Sequence, residues 1–292
     1  MRTRFTDPHY ARADRLDKVS PGFTLAQVSV DLSKFSAVLL DLDGTVYSEE
    51  HPLPGALELI RNLQSSGRTL GCLSNSALSP QGVIERMKSM GVDLSKAEVF
   101  TAARAACDYV LKHYPAKAKV FNLATQSVQD MLDGRVQWVH RRDEPCDAII
   151  SAAPSDDYAG EDRQRMALEL LRHGSTLVGL CADRVYPSPR GIEFGSGSLC
   201  AMLAYAANIT PIFCGKPQPI FFHELCERIK VDPTKCVLIG DNPESDIGGA
   251  RSVGMTSVLV LSGVARRKDV DKLPTKLKPD YVIESLTELL TV

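Results

Sequence analysis

The sequence predicts an α/β fold: a doubly wound, Rossmann-like parallel-sheet core with an inserted α/β cap domain. Three observations predict it. Short apolar runs of strand length alternate with amphipathic segments of helix length. Several of those runs end in acidic or hydroxyl residues, as open parallel sheets do at their ligand-binding edge. Residues 115–210 then repeat the strand–helix alternation before the first pattern resumes.

The elements follow in order. Residues 1–33 carry Pro8, Pro21, Gly22 and scattered charge without a sustained period, and read as an N-terminal extension. Ala37–Leu40 is an apolar run that ends in Asp41, the pattern of a strand buried on both faces. Over Gly55–Ser66, Leu57, Ile60 and Leu63 recur at helical spacing, and Gly67 stops the helix. Thr69–Leu73 is the next strand. Ser79 and Pro80 open a helix as N-cap and first residue, and Gly91 closes it. Glu98–Phe100 and Ala102–His113 complete this half as strand and helix.

In the inserted block the strands are Lys119–Leu123, Val136–His140, Ala148–Ala152 and Thr176–Cys181. Its helices are Ser127–Leu132, Asp162–His173 and Ser196–Asn208. After Pro211 the first sheet is expected to resume with Ile212–Cys214, then Cys236–Gly240, Ser257–Leu261 and Tyr281–Ile283. Ile220–Ile229 and Ile247–Val253 are the intervening helices. The expected domains are therefore a core of 34–114 with 211–292 and a cap of 115–210.

Composition narrows the function. The 292 residues carry 34 basic and 36 acidic side chains, net −2, which gives no basic excess for nucleic acid. No apolar run approaches the roughly 18 residues of a membrane helix. The basic N-terminus lacks a signal-peptide apolar segment. Asp7, Asp14 and Asp17 argue against a transit peptide, so a cytoplasmic location is expected, with organelle import as the alternative. Eight cysteines show neither CxxC nor zinc spacing and read as buried thiols in a reducing compartment. The expected partner is a small molecule, with no nucleic acid and no membrane.

Four segments carry chemistry. Asp41-Leu42-Asp43-Gly44-Thr45 places two carboxylates two residues apart just past a buried strand, where both can face one pocket. Gly44 permits a sharp turn and close approach of backbone N–H groups to an anion. Ser74 and Asn75 end the next strand with a hydroxyl and an amide suited to phosphate oxygens. Lys216, in Gly215-Lys216-Pro217, supplies a point charge. Asp241, Asn242, Glu244 and Asp246 cluster after a fourth strand, offering the hard oxygen ligands that suit Mg²⁺. Taken singly, each segment also reads as a turn, a cap or a surface charge. Together they are the parts of a phosphate-and-magnesium site. A nucleotide-binding Rossmann module fails because no GxGxxG follows the first strand.

These segments resemble the four motifs of the haloacid dehalogenase superfamily phosphatases. Asp41 to Thr45 matches the first motif, Ser74 the second, Lys216 the third, and Asp241 with Asp246 the fourth. An insert between the second and third motifs resembles subfamily IIA, the NagD and p-nitrophenyl phosphatase group. Where that group often carries an Asn-Pro-Asp-like turn late in the cap, this chain has Cys181-Ala182-Asp183. The resemblance implies that Asp41 is the nucleophile, forming an aspartyl-phosphate. Asp43 would then be general acid and base, and Mg²⁺ would be held by Asp41, Asp241 and the Asp43 carbonyl. Ser74, Asn75 and Lys216 would hold phosphate, with Gly44, Thr45, Asn242 and Asp246 in support. A homodimer through the cap is implied as well.

Alternatives are a phosphotransferase or mutase using the same intermediate, and an idle scaffold or sensor. Substrate reading falls to the cap, where Asp183, Arg184 and Tyr186 of the Asp183–Gly191 loop are the candidates.

Overall fold

The structure, a computed structural model, describes residues 30–154, 156–188 and 191–290. Most of the expected N-terminal extension, residues 1–29, lies outside the described residues, as do Pro189 and Arg190 of the late cap loop. The end of that extension belongs to the packed body. Val30 and Leu32 are buried in the apolar layer of the first sheet, too few residues to show a period in the sequence.

The first sheet has six parallel strands in the order Tyr281–Ile283, Thr256–Val260, Cys236–Gly240, Ala37–Asp41, Thr69–Ser74 and Glu98–Thr101. Period-two alternation builds an apolar layer on each face. Ala37, Leu39, Cys236 and Leu238 join one layer, with Phe221, Phe222 and Leu225 of helix Pro219–Ile229. Val38, Leu40, Val237 and Ile239 join the other, with Ile60 and Leu63 of helix Ala56–Ser65 and Val83 and Met87 of helix Pro80–Ser89. That second helix starts as the sequence predicts: Ser79 accepts from Gly82 N and Pro80 follows.

A second parallel sheet runs Ile212–Phe213, Thr176–Gly179, Ala148–Ser151, Lys119–Leu123 and Gln137–Trp138. Here the structure corrects the sequence reading. Ile212–Phe213 does not restart the first sheet; it pairs with Thr176–Gly179 and forms an edge of the second. Cys214 and Gly215 extend the contact by donating to Gly179 O and Leu180 O. A two-residue strand carries no periodicity, so its sheet was not readable.

Helix Ala102–His113 lies between the two sheets. Its buried face is largely alanine, Ala102, Ala103, Ala105 and Ala106, and one apolar cluster continues through it from Leu39 and Phe100 to Val120 and Ile150. Helices Glu161–Arg172 and Ser196–Ala207 cover the other face of the second sheet against Phe121, Ile149 and Leu177.

Other departures are local. The expected loop at Asp183–Gly191 contains an antiparallel hairpin, Val185–Ser188 with Gly191–Phe194, in which Pro187 faces Ile192. A two-stranded ribbon has only edge strands, which is where a strand tolerates proline. The helix expected over Ile247–Val253 begins earlier, as a π-helix Pro243–Gly248 followed by α-helix Gly249–Ser252. Among the described residues, no helix is long and apolar enough to cross a membrane.

Candidate active site

Three adjacent strands of the first sheet, Cys236–Gly240, Ala37–Asp41 and Thr69–Ser74, end side by side. Each delivers a polar side chain at its carboxyl end: Asp41, Ser74 and, one residue beyond Gly240, Asp241. All three are buried. Lys216 comes from elsewhere, on the segment that leaves the edge of the second sheet.

Asp41 is held at both oxygens. Lys216 Nζ donates to Oδ1 at 2.5 Å, and Thr45 Oγ1 donates to Oδ2 at 3.1 Å. Lys216 Nζ also donates to Asp246 Oδ1 at 2.7 Å, while Asp246 Oδ2 accepts from Asn242 N at 3.1 Å. Asn242 in turn caps the π-helix, its Oδ1 accepting from Glu244 N and Ser245 N. The acids of the fourth segment therefore divide. Asp246 is committed to fixing the lysine and its own turn, whereas Asp241 spends one oxygen on Val264 N at 2.6 Å.

Charge sets the character of the site. Asp41, Asp241 and Asp246 offer carboxylate oxygens within 4.8 Å of one another, and all three are buried. One buried ammonium, Lys216, answers three buried acids. Burial pushes the Asp241 carboxyl up to about 7, and the neighbouring Asp246 adds to the push. Burial also drives Asp41 up, against the pull of Lys216. For Lys216 itself, burial favours the neutral form, but Asp246 and Asp41 outweigh it and hold the ammonium charged. An uncompensated cluster of buried oxygen anions is what a hard divalent cation neutralises, so these donors fit one.

Asp43 stands apart. It faces solvent beyond the buried Leu42, outside the group of three acids. Its carboxyl is nonetheless raised by loss of solvation, opposed by Arg86 and Lys216. Arg86, on helix Pro80–Ser89, lies 5.1 Å from the ring centroid of Tyr47, which opens the short strand Tyr47–Ser48 after the turn that follows Asp43. Ser74 Oγ accepts from Ser76 N at 3.1 Å, which fixes the hydroxyl at the strand end.

The cap candidates are placed differently from one another. Asp183 Oδ2 accepts from Asn75 Nδ2 at 2.9 Å, so this residue reaches the first sheet. Arg184 is exposed, and its carbonyl accepts from Gly195 N. Tyr186 sits on the hairpin opposite Glu193 and is 41% exposed.

Sequence reasoning missed the loop after Thr256–Val260. Ser262 Oγ donates to Gly44 O at 2.7 Å, and Val264 N holds Asp241. Gly44, at φ +80°, and Gly263 both pack on Asp241; a Cβ on Gly263 would stand 1.9 Å from Asp241 Oδ2. A glycine just past a parallel strand was the available signal.

Comparison with known proteins agrees with this geometry. Residues 38–135 match the haloacid dehalogenase-like hydrolase family, and residues 213–289 match a related HAD-hydrolase-like family. The chain is 28% identical over 260 residues to an acid sugar phosphatase of Staphylococcus aureus, covering 89% of this chain and 98% of the relative. Among solved structures, the 4-nitrophenylphosphatase of Thermotoga maritima is 27% identical with a TM-score of 0.81, covering 89% of this chain and 98% of that one. The glycerol phosphate phosphatase of Mycobacterium tuberculosis, solved with magnesium, is 26% identical with a TM-score of 0.79, covering 88% and 77%. Motif order, sheet topology and these relatives agree, and the chain belongs to the haloacid dehalogenase-like hydrolases, in the nitrophenylphosphatase-type subfamily IIA.

Proposed function

We propose that the protein is a phosphatase that hydrolyses a small phosphate monoester through an aspartyl-phosphate on Asp41. The observation that carries this reading is the convergence of Asp41, Lys216, Asp241 and Asp246, all buried, where three parallel strands end. The relatives are named for sugar, glycerol and nitrophenyl phosphates, which supports a small ester.

Asp41 attacks phosphorus, and the bond to the leaving oxygen breaks. Asp43, whose carboxyl is raised by loss of solvation, gives that oxygen its proton. Water then attacks the phosphorus of the aspartyl-phosphate while Asp43 takes a proton back. Inorganic phosphate leaves, and Asp41 is restored. Lys216 offsets the repulsion between Asp41 and a dianionic substrate. Ser74 and the main-chain N–H groups around Asn75 orient the phosphoryl oxygens. Mg²⁺, held by Asp41, Asp241 and the Asp43 carbonyl, would supply Lewis-acid stabilisation of phosphoryl charge. Thr45, Gly44, Asn242 and Asp246 keep these groups in place.

The second-sheet unit, 115–210 with the edge strand that follows it, acts as the cap, and its hairpin reads the organic part of the ester. The homodimer belongs to the same reading: Ile192, Phe194, Met202 and Tyr205 of this unit are exposed. Sedimentation of the purified chain checks it. A cytoplasmic setting suits eight free thiols, seven of them buried.

The test is hydrolysis of p-nitrophenyl phosphate by the purified chain, abolished by EDTA, restored by Mg²⁺ and absent in Asp41→Asn. Release of labelled phosphate to water rather than to added alcohols separates the phosphatase from a phosphotransferase. Full activity in Asp41→Asn would overturn the mechanism.

A further inference from the structure

The Asn75 side-chain amide, expected from the sequence to meet phosphate oxygens, is instead occupied by protein partners. The Asn75 side chain turns toward the main chain of Lys216, not toward Asp41. Its Oδ1 accepts from Lys216 N at 2.9 Å, and its Nδ2 donates to Lys216 O at 3.1 Å. Nδ2 also donates to Asp183 Oδ2 at 2.9 Å. Only a carboxamide carries an acceptor and two donors in one plane, so no other short side chain can clamp both main-chain groups of one residue and reach a third partner. Residue 215 must lack a side chain for this contact, since a Cβ there would stand 2.7 Å from Asn75 Oδ1.

The three partners belong to three different parts of the fold. Asn75 follows the strand Thr69–Ser74 of the first sheet. Asp183 lies on the loop between strand Thr176–Gly179 of the second sheet and the hairpin. Lys216 lies on the segment between the sheets. Asp183 Oδ2 also accepts from Cys181 Sγ at 3.2 Å, which holds the carboxylate toward Asn75.

We propose that Asn75 is a positioning residue that ties Lys216 to the cap loop 181–184, so that the lysine is set in place only when that loop is docked through Asp183. The inference rests on the phosphatase reading for its kinetic consequence, but the tether itself is a matter of geometry. Lys216 is aimed by its main chain as well as by Asp41 and Asp246. Loosening residue 216 displaces an ammonium that must sit within a fraction of an ångström of the transferring group, and misplacement by about 1 Å costs on the order of 10²-fold in rate.

The experiment compares the full chain with Asn75→Ala, Asn75→Asp, Asp183→Ala, Asp183→Asn and the double variant Asn75→Asp/Asp183→Asn. Steady-state hydrolysis of p-nitrophenyl phosphate is measured beside hydrogen exchange of residues 181–184 and 214–218. Asn75→Ala is expected to lose about 100-fold in kcat with a much smaller change in KM, and Asp183→Ala about 10-fold. Asp183→Asn keeps an acceptor for Asn75 and retains most of the activity. Asn75→Asp sets two carboxylates face to face; adding Asp183→Asn restores a donor between them and recovers about 10-fold of the loss. A residue of purely structural importance would show neither this exchange of donor and acceptor nor a selective effect on kcat.

In Asn75→Ala both segments exchange faster, while distant strands such as Thr256–Val260 do not change. An active parent whose kcat is the same in Asn75→Ala and Asp183→Ala overturns the proposal. A parent inactive toward phosphate esters overturns the phosphatase reading instead, and the exchange data still decide the tether: unchanged protection at 214–218 rejects it. Should Asn75→Ala fail to fold, Asp183→Ala carries the comparison.

Discussion

The ammonium of Lys216 lies 2.7 Å from Asp246 Oδ1, although the two residues belong to different motifs and both are almost wholly buried. The contact predicts a severe effect of Asp246→Ala, which strips one counter-charge from the lysine and leaves Asn242 N without its acceptor. Breaking a buried ion pair costs about 3–5 kcal/mol. Urea unfolding should show a loss near the lower end, because Asp41 still pairs with the lysine. Asp246→Asn keeps an acceptor and should lose less. Equal stability of both variants and the parent would refute the assignment.

Burial of Asp241 predicts a pH effect on stability. Its carboxyl titrates at about 7 in the fold against an ordinary 3.8, so ionisation disfavours the folded state. Nothing is lost below about pH 4. The cost grows between about 4 and 7 and levels off above, on the order of a few kcal/mol. In EDTA the melting temperature should therefore fall from pH 5 to pH 8, and Asp241→Asn should flatten that slope. Mg²⁺ should raise the melting temperature more at pH 8 than at pH 5, because only the ionised carboxylate is a good ligand. Calorimetric scans with and without Mg²⁺ make the comparison.

Gly263→Ala is the sharpest test of the loop that sequence reasoning missed. A methyl 1.9 Å from Asp241 Oδ2 forces either the carboxylate or the loop to move. The Mg²⁺ concentration for half-maximal activity should rise about 10-fold or more, as it does when groups orienting a metal ligand are disturbed. An unchanged metal titration would show that Asp241 is not a ligand.

Asp43→Asn separates proton transfer from nucleophilic attack. The carboxamide can neither give nor take a proton, and such catalysis is worth about 10²–10⁴-fold. Turnover of alkyl phosphates should fall by that factor. Esters with good leaving groups should suffer less in the first step, so labelled phosphoenzyme should accumulate. Rapid-quench measurements would detect it.

Arg184→Ala and Tyr186→Ala test the hairpin and the loop residue that leads into it as the reader of the substrate. Relative kcat/KM among natural phosphate esters should shift by about 10-fold, roughly 1.4 kcal/mol, with little effect on p-nitrophenyl phosphate. An unchanged ranking would move specificity elsewhere in the cap.

What was legible in the sequence followed from burial. Ala37–Asp41, Thr69–Ser74 and Cys236–Gly240 are short apolar runs because both faces are covered, and each stops where the chain meets the site. Asp41, Ser74 and Asp241 could therefore be assigned to one edge from the sequence alone. The pairing of Asn75 with Asp183 could not, because 108 residues separate them and neither shows a local pattern. The Val185–Phe194 hairpin escaped because exposed Ile192 and Phe194 and a strand proline contradict the usual half-buried alternation. The position of Ile212–Phe213 escaped because two residues have no period. Asp183 illustrates the limit: its place in the late cap loop put it among the candidates for substrate contact, yet its carboxylate lies against Asn75 and Cys181.

The edge strand Ile212–Phe213 also decides where this chain can be recombined with its relatives. A chimaera that takes a foreign insert and joins it before Ile212 would supply a sheet whose last strand belongs to the host, so the new Thr176–Gly179 equivalent would meet an unfamiliar partner. The same joint would leave Cys214 and Gly215, which bond Gly179 and Leu180, to fix the approach to Lys216 across a mismatched seam. Transplanting substrate preference between such enzymes therefore calls for exchanging the insert and the lysine segment as one cassette.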